Sequence, residues 1–288
     1  MVYTLEEFQN SENSKKPHYL VVGFPVGHSL SPFMHQTALD YYKIDASYFA
    51  LNLLPGELSS FASWCNRDEF LGCNITIPYK NEMLSLVDEI EPVAAEIGAI
   101  NTISKENGIL SGFNTDVYGF LKPLEDLKHK FENGRAIIFG TGGSSKAVKK
   151  GLEELGFGEL VFVTRNPQGK VIDSNKAIII TDYSQWTAYV PEADIIINTT
   201  PLGMSPNSGK SPVNWIDAEY LKNKICYDLV YNPPETEFLK QAKQHGSEFL
   251  NGLDMLIYQG SRSFLIWTGK SFPVSMIRKT LKNHLAGV

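Results

Sequence analysis

Short apolar runs at 19–24, 47–51 and 70–76 are each followed by Gly, Pro or polar residues. Runs of that length with that punctuation predict buried strands. Between the first two, Ser31-Pro32 opens a helical pattern over 33–42, with the serine as N-cap and the proline at the first helical position. The first 115 or so residues therefore read as alternating strands and helices. A second alternating series starts at Ala136, with strands at 136–139, 160–164, 177–181, 194–198 and 225–229 and a helix at 145–155. Strands that are nearly continuous in β-branched residues and alternate with helices predict a parallel sheet covered on both faces. Leu253, Leu256, Ile257, Gly260, Phe264 and Trp267 then recur at helical spacing, and a second helix is expected over 273–285. With no strand left to alternate with, these helices are expected to return to the first domain. The expected organisation is α/β in two domains. Residues 1–115 with 253–288 form a domain with a mixed, mainly parallel sheet completed by the C-terminal helices, and 116–252 form a Rossmann-like domain.

Composition narrows the partners. The chain has 288 residues, 43% of them hydrophobic, and a formal net charge of −6, which argues against the basic surface that nucleic-acid binding requires. No apolar run is long enough to span a membrane, and residues 1–18 lack the apolar core of a signal peptide. Cys65, Cys73 and Cys226 are too few and too scattered for a disulfide framework or a zinc site. The expectation is a cytoplasmic protein, monomer or homodimer, that acts on a small molecule without a metal.

The segment from Ala136 to Ala147 reads AIIFGTGGSSKA. Glycines placed directly after a strand and before a helix suit a dinucleotide. Gly140 permits the tight turn, Gly142 admits a pyrophosphate to the backbone, and the helix N-terminus supplies amide donors. Ser145 holds the third fingerprint position. The next strand ends at Thr164-Arg165-Asn166, where an NAD site carries a carboxylate for the ribose hydroxyl. Arg165, with Lys170 adding charge, suits a 2′-phosphate, so the cofactor is expected to be NADP.

Four polar clusters interrupt the first domain, each where a strand is expected to end. They are GFPVGHSLSP from Gly23, GCNITIPYK from Gly72, GAINT from Gly98 and GFNTDVYG from Gly112. Loops at the carboxyl ends of strands converge on one crevice in an open α/β sheet, so these clusters predict a pocket rich in hydroxyl and amide groups with one amine and one acid.

These clusters, together with NTTPLGM from Asn198, DLVYNPPET from Asp228 and GLDMLIYQG from Gly252, resemble the shikimate dehydrogenase family. The resemblance implies reversible NADPH-dependent reduction of 3-dehydroshikimate to shikimate, in the pathway to chorismate and the aromatic amino acids. It maps a catalytic pair onto Lys80 and Asp116, with the lysine taking and returning the hydroxyl proton and the aspartate orienting it. Substrate contacts fall on Ser29, Ser31, Asn74, Thr76, Asn101, Tyr231 and Gln259. Cofactor contacts fall on Gly140, Thr141, Gly142, Gly143, Ser144, Thr164, Arg165, Lys170, Thr199, Met204, Leu229 and Gly252. Gln36 and Thr164 depart from the family's usual asparagines, and His28 and His35 are assigned no chemistry. Two rivals remain: an NAD-preferring quinate/shikimate dehydrogenase, which the absence of an acid beside Arg165 disfavours, and a non-catalytic shikimate-binding sensor, which has no need of Lys80, Asp116 and the glycine turn together.

Overall fold

The computed structural model describes residues 2–131, 133–285 and 287. The chain divides into two compact units, 1–116 with 257–282, and 117–256 with 283–288.

The first unit contains β1 (Val2–Thr4), α1 (Leu5–Gln9), β2 (His18–Gly23), α2 (Ser31–Tyr41), β3 (Ser47–Asn52), α3 (Leu58–Trp64), β4 (Phe70–Ile75), β5 (Glu89–Ile90), α4 (Pro92–Ile97), β6 (Thr102–Glu106) and β7 (Ile109–Phe113). Its strands lie in the order β1-β3-β2-β4-β6-β7-β5. β1, β3, β2 and β4 run parallel, whereas β6 is antiparallel to both β4 and β7. β2 is buried along its whole length, as a central strand flanked by two neighbours must be. Several elements of this unit lie outside the sequence expectation. β1 adds an edge strand, and Thr4 closes a capping box with Glu7 at the start of α1. The β6–β7 hairpin is short and polar at its tip, so its period-2 signal is weak.

Ser31 is not the N-cap of α2. Leu30 holds that place, and Ser31 is the first helical residue with Pro32 behind it. The Ser29 hydroxyl instead accepts the Ser31 backbone N–H at 3.2 Å, satisfying one of the donors that a helix start leaves open.

The second unit begins in α5 (Asp116–Leu121) and continues through β8 (Arg135–Phe139), α6 (Gly143–Leu155), β9 (Glu159–Val163), β10 (Ala177–Thr181), β11 (Ala193–Asn198), β12 (Ile225–Asp228), α7 (Glu237–Gln244) and β13 (Glu248–Leu250). All six strands are parallel, in the order β10-β9-β8-β11-β12-β13. The order reverses between β8 and β11, which is the topological switch point where such sheets bind ligands. Ile137, Val161 and Ile196 bury one face, against Trp186 and Phe238. Ile138, Phe162 and Ile197 bury the other, against Val148 and Leu152 of α6.

Two helices follow, α8 (Leu253–Thr268) and α9 (Val274–Leu285). From Ile257 onward α8 belongs to the first unit. There the Trp267 indole donates to the Ile103 carbonyl at 2.8 Å and lies 4.7 Å from the Tyr19 ring, anchoring the helix across β6 and β2.

Candidate functional site

The first site grows from one edge of the mixed sheet. Asn74 lies near the carboxyl end of β4, while Asn101 stands ahead of β6 rather than at a strand's end as its cluster suggested. Because β6 runs antiparallel to β4, with Thr102 opposite Asn74, the start of one strand meets the end of the other. β7 turns back again, so Asn114, Thr115 and Asp116 arrive at the same edge, with Phe113 opposite Thr102. The turn after β4 carries Thr76, whose carbonyl accepts the Tyr79 N–H at 3.0 Å, and delivers Lys80. The Tyr79 hydroxyl pins that turn to the Leu53 carbonyl at 2.7 Å.

There the Lys80 Nζ lies 2.5 Å from Asp116 Oδ2, with side chains 17% and 12% exposed. Asn101 Nδ2 donates to the other carboxylate oxygen at 2.7 Å. The Asp116 N–H donates to Asn114 Oδ1 at 3.1 Å, and Asn114 Nδ2 donates to the Ala99 carbonyl at 2.9 Å. Each carboxylate oxygen thus meets one donor, and the amine keeps a partly exposed face. A lysine held in this way by an ion pair is well placed to exchange a proton with a neighbouring oxygen.

Around this pair lies a buried network of hydroxyls and amides. Asn74 Nδ2 is 3.1 Å from Thr102 Oγ1 and 3.0 Å from Ser263 Oγ, and Asn74 Oδ1 accepts from the Tyr48 hydroxyl at 2.7 Å. Tyr48 also meets Ser31, and burial raises its phenol well above the ordinary tyrosine range, so it stays a neutral donor. Thr115 Oγ1 reaches Ser263 at 3.2 Å and Gln259 Oε1 at 3.5 Å. Tyr48 and Ser263 lie outside the polar clusters that mark this domain in the sequence. Ser263 lies one helical turn beyond Gln259, the only sequence signal that could have pointed to it. His35 is stacked on Tyr48 at 4.7 Å, and burial pushes it down to about 3, so it is a neutral ring of the core. His28 lies exposed in the loop after β2.

A second site forms at the switch point of the parallel sheet. Gly140 adopts φ +104°, and a Cβ there would lie 2.7 Å from Thr199 Oγ1, so both its conformation and its neighbour demand glycine. Thr199 is fixed in turn by donating to the Phe139 carbonyl at 2.7 Å. Side chains at Gly142 and Gly143 would enter open space, so the backbone at the start of α6 is accessible. Ser145 is buried and donates to the Gly142 carbonyl at 2.6 Å, bracing the turn. An accessible glycine turn leading into a thirteen-residue helix fits a pyrophosphate. Thr164 closes β9 by donating its N–H to the Thr181 carbonyl at 2.9 Å, and Arg165 follows it, exposed. Lys170 Nζ donates to Thr141 Oγ1 at 2.9 Å, bringing its charge onto the glycine turn. Ser144 is half-buried in the first turn of α6.

Asp228 ties the neighbouring loops together. Its carboxylate accepts from Asn198 Nδ2 at 2.9 Å, the Val230 N–H at 3.0 Å and the Thr236 hydroxyl at 2.5 Å. Asn198 in turn shapes the segment carrying Thr199, donating to the Leu202 carbonyl and accepting from Thr200. Met204 closes that segment with its N–H on the Pro201 carbonyl. Desolvation pushes the Asp228 carboxyl up to about 6, against the pull of its three donors. Leu229 donates its N–H to the Asn198 carbonyl at 3.1 Å. Gly252 packs so closely that a Cβ would lie 2.0 Å from the Leu229 carbonyl oxygen. Tyr231 is half-buried just after this segment, in the second unit.

Strand order, switch point and glycine turn define a Rossmann-type nucleotide unit, joined in one chain to an α/β unit with a lysine–aspartate pair in a polar network. Residues 21–103 match the shikimate dehydrogenase substrate binding domain, and residues 252–282 match the shikimate 5′-dehydrogenase C-terminal domain. A shikimate dehydrogenase (NADP(+)) of Moorella thermoacetica is 37% identical over 277 residues, covering 92% of each chain. The chain belongs to the shikimate dehydrogenase family. The structure of shikimate 5-dehydrogenase from Thermus thermophilus in complex with NADP(H) and shikimate aligns with a TM-score of 0.78 at 32% identity, over 93% of this chain and 99% of that one. Quinate dehydrogenase from Corynebacterium glutamicum in complex with NAD aligns with a TM-score of 0.83 at 27% identity, over 93% and 99%.

Proposed function

We propose that the protein is an NADP-dependent shikimate dehydrogenase that interconverts 3-dehydroshikimate and shikimate. The observation that carries this reading is the Lys80–Asp116 pair, braced by Asn101, within a network of neutral hydroxyls and amides. A polyhydroxylated ring needs such surroundings, because each buried hydroxyl left unpaired costs about 1–3 kcal/mol. Relatives with the same name cover most of the chain.

When bound, NADPH would supply the hydride. In the reductive direction Lys80 gives a proton to the ring oxygen as the carbonyl becomes an alcohol, and in the oxidative direction it takes that proton back. Asp116 holds the amine in place and shares the same hydroxyl. Asn74, Thr76, Asn101 and Gln259 meet ring hydroxyls, while Ser29 and Ser31 hold the carboxylate. Gly140, Thr141, Gly142, Gly143 and Ser144 would hold the pyrophosphate, and Arg165 and Lys170 would meet the 2′-phosphate. Thr164, Thr199, Met204, Leu229 and Gly252 would complete the nucleotide site. Among the described residues no helix is long and apolar enough to cross a membrane. A cytoplasmic location belongs to the same reading, supported by three free, buried cysteines. Burial raises all three thiols, Cys226 to about 12, so they remain inert.

Initial rates with shikimate and quinate, each against NADP and NAD, test the proposal. Shikimate with NADP is expected to dominate. Dominant quinate activity with NAD, or no turnover of either substrate, would overturn it.

A further inference from the structure

Ser263 is completely buried on α8, one turn beyond Gln259, among the polar groups of β4, β6 and the segment after β7. Its hydroxyl lies 3.1 Å from the Gln259 backbone carbonyl. Toward the Asn74 amide nitrogen, which can only donate, Ser263 is an acceptor. Asn74 Nδ2 lies at 3.0 Å and Thr102 Oγ1 at 2.8 Å. Asn74 Nδ2 also meets Thr102 Oγ1 at 3.1 Å and the Asn101 carbonyl at 3.3 Å. That carbonyl fixes which end of the amide is nitrogen. The amide's two hydrogens are thus consumed within the protein, and the Tyr48 hydroxyl takes one lone pair of the oxygen. One lone pair of Asn74 Oδ1 remains.

We infer that Ser263 is a positioning residue which, with Thr102, uses up the Asn74 amide hydrogens and so leaves Asn74 to the substrate as a hydrogen-bond acceptor alone. The inference rests on the reading of Asn74 as a substrate contact. It adds the polarity of that contact, requiring the ring hydroxyl facing Asn74 to donate. It also assigns the setting of that polarity to a residue with no expected contact with substrate. Replacing Ser263 by alanine removes the shortest of the three acceptor contacts of the Asn74 amide, leaving its hydrogens to Thr102 and the longer contact with the Asn101 carbonyl, and loosens the amide without altering the nucleotide unit.

The test is a double-mutant cycle of Ser263→Ala and Asn74→Ala, read as KM for shikimate and for NADP and as Tm. Ser263→Ala is expected to raise KM for shikimate about tenfold, to leave KM for NADP within twofold, and to change KM for shikimate less than twofold once Asn74 is already alanine. An unchanged KM for shikimate in Ser263→Ala, a parallel rise in both KM values, or the same penalty in both backgrounds would overturn the inference. Should Asn74→Ala not fold, shikimate analogues with each ring hydroxyl replaced in turn by hydrogen or fluorine decide the matter on wild type and Ser263→Ala. At one position fluorine, which cannot donate, is expected to cost wild type as much affinity as hydrogen does, and that cost is expected to shrink in Ser263→Ala. Fluorine restoring affinity relative to hydrogen at every sensitive position, or an undiminished cost in the variant, would refute it. Absence of shikimate turnover by the wild type would instead count against the proposed function.

Discussion

Truncating Lys80 to alanine separates catalysis from binding in this site. A positioned acid or base contributes about 10²–10⁴ in rate, which is about 3–5 kcal/mol in the barrier. The structure restricts the damage to that step. Asp116 keeps the Asn101 donor and its own backbone bond to Asn114, so the carboxylate stays aimed. The polar groups around Asn74 and Ser263 make no hydrogen bond to Lys80 and remain in place. Loss of one partner of a fully buried pair costs about 3–5 kcal/mol and of an exposed pair about 0–1. With both side chains retaining some exposure and a second donor on Asp116, about 1–2 kcal/mol is expected, a Tm decrease of about 3–6 °C. Turnover is followed by the absorbance of the reduced nicotinamide. The expected result is a kcat lowered about 10²–10⁴-fold with KM for shikimate within about threefold, the signature of an interaction made mainly in the transition state. Shikimate deuterated at the carbinol carbon should give a larger isotope effect in the variant, because chemistry becomes the slow step. A folded variant with kcat within tenfold of wild type, or a loss expressed wholly in KM, would refute the assignment of proton transfer to Lys80.

Charge reversal at the end of β9, Arg165→Glu, is expected to raise KM for NADP at least tenfold and to improve the NAD/NADP ratio of kcat/KM, because a carboxylate repels a 2′-phosphate and accepts from a ribose hydroxyl; an unchanged ratio would place cofactor selection elsewhere. Asp228 links stability to pH. Its carboxyl is raised to about 6 from an ordinary value near about 4, so the folded state holds the proton more tightly than the unfolded one. Its contribution is fully present below about pH 4 and is lost as pH rises through about 6, a change of about 3 kcal/mol at 1.36 kcal/mol per unit. Asp228→Asn cannot titrate, so the Tm of wild type relative to this variant should fall between pH 4 and 7. A difference that stays constant across that range would show that the carboxyl is not raised.

The legibility of each unit followed from how local its information is. In the second unit, Ile-rich strands alternating with helices, and a glycine turn at a strand–helix junction, are short-range signals that admit one solution, a parallel sheet with its site at the switch point. The strands at 136–139, 160–164, 177–181, 194–198 and 225–229 accordingly fall within about a residue of the observed ones. Family resemblance supplied the candidate residues of the first site, but not their arrangement. Periodicity does not encode the direction in which a strand pairs, so Asn101 was read at the end of a strand when it stands ahead of one. Only the antiparallel step at β6 explains how it meets Asn74 and Asp116.

Ser31 illustrates the same limit on a smaller scale. Ser-Pro before a helix announces the helix start, yet whether the serine caps from outside or begins the helix depends on the loop before it, where Ser29 provides the acceptor. By itself, the sequence determined the two α/β units, the nucleotide turn and the chemical types gathered in the first domain, because these depend on neighbours within a turn or a strand. The tertiary structure decided which groups share a hydrogen bond. Tyr48, Asn74, Thr102, Thr115 and Ser263 come from five separate segments, and the donors and acceptors they leave for a ligand are fixed only when the sheet edge and α8 bring them within 3 Å or so of one another.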